Sequence, residues 1–157
     1  MLPRIGIVTL LWLIALHVSA ATLISGRIVG VYDGDSVTLL TGSNDQVKIR
    51  LAEIDAPEKK QPYGNRSKQA LSDLIFGKQV TARVVTIDRY GRTVARLYVG
   101  DVDVSREMVR AGAAWVYRQY NQDTSLLDVE ADARRARRGL WGLPETERQE
   151  PWLWRRK

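Results

Sequence analysis

Between residues 23 and 99 the hydrophobic pattern changes period in an order that few folds accommodate: three strand-like segments, one helix-like segment, then two more strands. Leu23–Val31 is rich in Ile and Val, and Tyr32-Asp33-Gly34-Asp35 then turns the chain, because Asp-Gly tolerates the backbone angles of a tight turn. Ser36–Thr41 leads to a second turn at Gly42-Ser43-Asn44-Asp45. Gln46–Ile54 alternates, with Val47, Ile49 and Leu51 on one face and Lys48 and Arg50 on the other, so that Arg50 points away from the apolar core. These three segments read as a curled antiparallel meander. Ala56–Gly64 is a loop containing Pro57 and Pro62, after which Asn65 is placed to cap a helix that runs to Phe76 and stops at Gly77. Val80–Ile87 and Thr93–Val99 are strands joined by the hairpin Asp88-Arg89-Tyr90-Gly91-Arg92. This is the order of a five-stranded Greek-key barrel of the OB type, with one helix between strands three and four. Two C-terminal helices are predicted beyond it. Val104–Ala111 ends at Gly112; Asp123–Arg138 is capped by Asp123 or Thr124, carries a Glu130–Arg134 pair and ends at Gly139. The fold class is a β-barrel with helices (α+β).

The barrel does not begin at residue 1. Met1–Arg4 carries a positive charge, Ile5–Leu16 is apolar except for Gly6 and Thr9, and His-Val-Ser-Ala-Ala follows. This reads as a secretory signal peptide over 1–20, cleaved after Ala20. The apolar run is shorter than the roughly 20 residues that span a bilayer, so cleavage is favoured over an uncleaved membrane anchor. The expected location is secreted or periplasmic. The chain then divides into the barrel domain, 21–142, and a C-terminal tail, 143–157, in which tryptophan and arginine recur.

Cleavage restricts the available chemistry. The single histidine, His17, lies in the leader and the chain has no cysteine. Ser–His triads, Cys–His dyads and common zinc sites are excluded. Without Arg4, 23 basic and 18 acidic residues remain, a net charge of +5, and arginine outnumbers lysine. An arginine-rich basic surface suits polyanions, because guanidinium matches phosphate in a fork.

Against this basic background, Arg50-Leu51-Ala52-Glu53-Ile54-Asp55-Ala56-Pro57-Glu58 gathers three acids at the end of a strand. Asp35 begins strand two, and Asp55 and Glu58 follow strand three. Adjacent strand ends lie about 5 Å apart, so the three acids are expected to converge. Arg92, at the tip of the last hairpin, can reach them. Oxygen-only ligands with no His or Cys suit a hard cation such as calcium or magnesium. Asp35, Asp55 and Glu58 carry three negative charges and Arg50 with Arg92 two positive ones, so the bare site repels a phosphodiester and a divalent cation makes it attractive. A simpler reading stands beside this one. Asp-Gly-Asp is common turn chemistry, Glu53 has the parity of a buried structural acid, and Arg50 could be its salt-bridge partner.

Taken together, these motifs resemble the staphylococcal-nuclease-like (thermonuclease) family. The matching pieces are Asp33-Gly34-Asp35-Ser36, Arg50–Glu58, Tyr63-Gly64, Asp88–Arg92, Val109-Arg110-Ala111-Gly112 and Gly139-Leu140-Trp141, in order across residues 24–142. The resemblance implies an OB-type barrel that cleaves phosphodiester bonds of DNA and RNA with calcium, Ca2+, leaving 3′-phosphate and 5′-hydroxyl ends. By matching position, Asp35 and Asp55 would ligate the metal through carboxylates and Ala56 through its backbone carbonyl. Glu58 would be the general base or would position the attacking water, and Arg50 and Arg92 would stabilise charge on the phosphoryl oxygens. Arg89 and Tyr90 would meet the phosphate. Trp115 and Tyr117 match a Tyr-x-Tyr pair beside the base, with core packing as their alternative role.

Several features remain outside that assignment. Arg134-Arg135-Ala136-Arg137-Arg138 suits the C-terminal end of a helix, and Pro151-Trp152-Leu153-Trp154-Arg155-Arg156-Lys157 could stack on bases, touch a membrane or pack on the domain. Single strands are the favoured substrate, no obligate protein partner is evident, and a monomer is expected. The rival functions are a noncatalytic OB module that binds nucleic acid and an envelope-surface protein held by its basic tail.

Overall fold

The computed structural model describes residues 21–156. Residues 1–20, the expected signal peptide, and Lys157 lie outside them. Strands β1 (Leu23–Val31), β2 (Ser36–Thr41) and β3 (Gln46–Leu51) form the expected antiparallel meander. β3 ends earlier than the alternation suggests. Glu53 adopts a left-handed backbone (φ 67°), which swings Ile54–Asp55 out as a separate two-residue strand, β4. Helix α1 (Gly64–Ile75) follows. β5 (Gln79–Ile87) then pairs with β1, and β6 (Thr93–Val99) pairs antiparallel with β5 and parallel with β3. That last pairing, Ile49 beside Thr93 and Leu51 beside Ala95, closes the five-stranded barrel. Irregular register in β1 near Ile28–Gly30 and in β5 near Val84–Thr86 supplies the bends that closure needs.

Inside the barrel Ile28, Leu39, Ile49, Leu51, Ala82 and Leu97 are fully or almost fully buried, which is what the alternation of β3 and β6 dictates. Leu71 and Ile75 of α1 close one part of this core. The short strand β7 (Val102–Asp103) folds back antiparallel on the end of β6 and leads into α2 (Val104–Arg110), whose Val104, Met108 and Val109 are buried in the same core. Asp103 caps α2 by accepting the Arg106 N–H at 3.1 Å.

After α2, Trp115–Val116 forms β8, antiparallel to β4, with Asp55 opposite Trp115. Helix α3 (Ser125–Arg135) is shorter than its sequence pattern, because Arg137 turns left-handed (φ 52°) and ends the helical run. Asp123 accepts both the N–H and the hydroxyl of Ser125 ahead of the helix. Glu130 of α3 is buried and accepts the Val116 N–H at 2.9 Å, with Arg118 and Arg134 as ion partners. α3 therefore fixes β8, and β8 fixes the strand that carries Asp55.

At the start of α1 the expected Asn65 cap is corrected. Tyr63 occupies the cap position in a left-handed conformation (φ 72°) and no side chain caps the helix. Toward the C-terminus, 3-10 turns at Gly139–Gly142 and Glu145–Glu147 precede a short helix, α4 (Pro151–Trp154).

Candidate active site

Asp35 stands where the first turn enters β2. Its backbone carbonyl accepts the Leu51 N–H at 2.8 Å, which locks the turn to the end of β3. One carboxylate oxygen accepts the Ala56 N–H at 2.7 Å and the other the Ser36 hydroxyl at 2.9 Å. Ser36 thus supports an acid rather than acting as a nucleophile. Gly34 has a steric reason: a Cβ there would lie 1.8 Å from Ser67 Oγ, and that hydroxyl is itself buried and donates to Ala113 O at 2.6 Å.

Arg50 links the two aspartates. It sits opposite Ser36 across the β2–β3 ladder. Its Nε lies 3.3 Å from Asp35 and one Nη 2.9 Å from Asp55, while the other Nη donates to the carbonyls of Leu51 (2.6 Å) and Ile54 (2.8 Å). These four contacts hold a guanidinium whose side chain is only 13% exposed. Glu53 has a different partner from the one considered in the sequence. It pairs with Arg96 at 2.6 Å and accepts the Gln122 and Asp123 N–H groups, so it is a structural acid and leaves Arg50 to the aspartates.

Asp55 is 0% exposed. Burial pushes its carboxyl above the ordinary carboxylate range, with Arg155 and Arg50 pulling the other way. Asp33, whose carboxylate accepts the Asp35 N–H, is pushed up to about 6 by burial and by the charge of Asp35. Glu58 lies on the loop after β4. Gln61, a buried residue the sequence reading passed over, accepts the Glu58 N–H at 3.0 Å and returns its own N–H to the Glu58 carbonyl at 2.8 Å. Gly64 closes this loop, since a Cβ there would lie 1.9 Å from Glu58 O.

The expected convergence of three acids with Arg92 is corrected in two respects. Among the described residues no group of three or more His, Cys, Asp or Glu side chains gathers as a metal cage. Guanidinium groups stand between the carboxylates instead, because like charges in a buried site need a counter-charge. Arg92 is not the second of these groups. It pairs with Asp88 of its own hairpin at 2.8 Å, and hydrogen bonds from Arg92 and Tyr90 outweigh burial to hold Asp88 below its ordinary pKa. Arg89 and Arg92 both stack on exposed Tyr90, 4.9 and 5.6 Å from its centroid. The second guanidinium comes from the tail: Arg155 forks onto both oxygens of Asp55 (3.1 and 2.8 Å) and reaches Glu58 at 2.7 Å.

Trp115 is a core residue, 6% exposed, against Trp141 (4.5 Å), Trp152 (6.1 Å) and the guanidinium of Arg134 (5.0 Å). Tyr117 stacks on Trp152, with rings 5.2 Å apart and 2° from parallel, and meets Tyr120 edge-on.

Comparison with known proteins gives this arrangement a lineage. Residues 48–142, which include Arg50, Asp55, Glu58 and Arg92, match the family model described as staphylococcal nuclease homologue. The chain belongs to the staphylococcal nuclease family. Within it, the chain is 46% identical over 135 residues to an "Uncharacterized endonuclease" of Escherichia coli O157:H7, covering 85% of this chain and 86% of that one. It is 44% identical over 131 residues to an "Uncharacterized endonuclease" of Haemophilus influenzae, covering 83% and 72%. A "Micrococcal nuclease" of Shigella flexneri is 39% identical over 142 residues, covering 83% and 80%. For a member of this family, an OB-type α+β barrel is the expected architecture, and it is the one observed.

The residues present fit a hard cation. Every side chain that could ligate one is an oxygen donor, and Asp55 and Glu58 already hold a cationic group, the Arg155 guanidinium, between them.

Proposed function

We propose that this staphylococcal nuclease homologue is an exported, calcium-dependent nuclease. It hydrolyses phosphodiester bonds of DNA and RNA and leaves 3′-phosphate and 5′-hydroxyl ends. Membership of the family supports hydrolysis of nucleic acids. The observation that carries the finer reading is the Asp35–Arg50–Asp55 bridge with Glu58 beside it.

Asp35, Asp55 and the Ala56 carbonyl would hold the calcium. Bound there, it would supply positive charge toward the phosphoryl oxygens. Arg50 is fixed by four contacts before any substrate arrives, so it offers charge to the phosphoryl group without a reorganisation cost. Glu58 is the general base. A carboxylate is a weak base, so the Glu58 backbone, clamped by Gln61 and Gly64, must place it well. Arg92, Arg89 and Tyr90 approach the phosphate from the hairpin, which requires Arg92 to leave Asp88. Tyr117 offers the stacking face for a base once Trp152 moves aside.

The test is digestion of single-stranded DNA by the purified protein, in calcium and then in excess chelator. Cleavage that stops on chelation, with 5′-hydroxyl products, is expected. Binding without cleavage in both conditions would instead mark a noncatalytic OB module.

A further inference from the structure

We propose that the segment Gln149–Arg156 is an autoinhibitory strap. It places a guanidinium on Asp55, a carboxylate that would hold the cation, and on the base Glu58, and an indole where a nucleobase would stack, so metal and nucleic acid must displace it. The inference rests on reading Asp35, Asp55 and Glu58 as the nuclease site.

Three attachments hold the strap across the site. Gln61, the residue that clamps the Glu58 loop, donates its side-chain amide to the Gln149 carbonyl. Pro151 is buried, and Trp152 lies flat on Tyr117 with its edge toward Trp115. Arg155 then forks onto Asp55 and reaches Glu58. Trp152 and Arg155 are three residues apart on the helical turn of α4, a spacing that puts both side chains on one face. One face of one turn thus covers the base position and the acids together.

The chemistry is substitution rather than packing. A guanidinium that takes both Asp55 oxygens leaves neither for a divalent cation, and the same guanidinium ties up the Glu58 carboxylate that would act on water. A flat indole parallel to the phenol ring occupies the plane that a base would take. The strap is also built to leave. Arg155 is 42% exposed, Trp152 is only half-buried and Leu153 faces solvent. It lies beyond residue 142, where the family match ends.

The test is calcium titration by calorimetry on the protein and on R155A, W152A and R156A. R156A removes the same charge one residue away from an exposed side chain, and W152A leaves every charge in place. If the strap is closed about nine-tenths of the time, its release tightens calcium binding about tenfold. R155A and W152A should both show that gain, with R156A within about twofold of the parent protein. Equal affinity in all four proteins would overturn the strap and leave the metal site standing. A gain in R155A alone would also overturn it, since Arg155 would then act only as a nearby charge. No calcium binding by any of the four would overturn the metal site and the strap together.

Discussion

Replacing Arg50 by alanine is the sharpest test of how the site is held. Its guanidinium touches Asp35, Asp55 and the carbonyls of Leu51 and Ile54. Removing one partner of a buried ion pair costs about 3–5 kcal/mol. Water entering the space and Arg155 remaining on Asp55 offset part of this, so a loss of about 3 kcal/mol is expected. For a chain of this length that lowers the melting temperature by about 6–12 °C. The loss has a pH signature with a definite sign. Asp55 is already above its ordinary value, and without Arg50 burial would raise it further. A carboxyl whose pKa is raised in the folded state destabilises the fold increasingly as pH climbs from the unfolded value toward the folded one. The deficit should therefore be larger at pH 8 than at pH 5. Urea denaturation in chelator at the two pH values measures it. Arg50→Lys should recover only part of the loss, because an ammonium cannot make the same fork. A deficit under about 1 kcal/mol at pH 8, or one that grows on acidification, would refute the bridging role.

Other outcomes follow from the same geometry. Glu58→Ala and Arg92→Ala should each lower the cleavage rate by about two to four orders of magnitude while circular dichroism and melting change little; near-normal turnover in either would remove that residue from the mechanism. Magnesium should replace calcium poorly, because it demands near-octahedral geometry and sheds water reluctantly; strong magnesium-only digestion would contradict the calcium assignment. Asp33, pushed up to about 6, and Asp55 both bind protons more tightly folded than unfolded. Stability in chelator should rise as pH falls from 7 to 5, while calcium affinity falls because its ligands must lose protons; calorimetry showing both quantities moving in the same direction would reject this coupling. Gly34→Ala should lower both stability and activity, since the new methyl meets Ser67 and Ala56; an unchanged melt would show that α1 yields there.

The barrel is readable in the sequence because its strands alternate and its turns carry Asp-Gly and Gly-rich signals. Leu23–Val31, Ser36–Thr41 and Thr93–Val99 fall where the period changes. The boundaries that moved did so for backbone reasons. Glu53, Tyr63 and Arg137 take left-handed angles that no apolar period records, and they end β3, start α1 and terminate α3. The nearness of Asp35, Arg50 and Asp55 follows from adjacent strand ends. The partner of Glu53 does not, since Arg50 and Arg96 are the same residue type and only the closed β3–β6 ladder decides between them. Arg155 lies a hundred positions from Asp55. Its recurrent Trp and Arg neighbours mark the tail as unusual, but no local pattern gives a tail its docking place.

The buried Glu130 alters what counts as the functional unit. It touches neither of the two aspartates, yet it holds β8, whose pairing with β4 fixes the depth of Asp55. A chain cut after the barrel would keep Asp35, Arg50, Asp55, Glu58 and Arg92 but leave the two-residue strand that carries Asp55 without its β8 partner. The smallest inheritable unit of this site therefore reaches through α3, and the helical layer cannot be exchanged or lost independently of the chemistry it never touches.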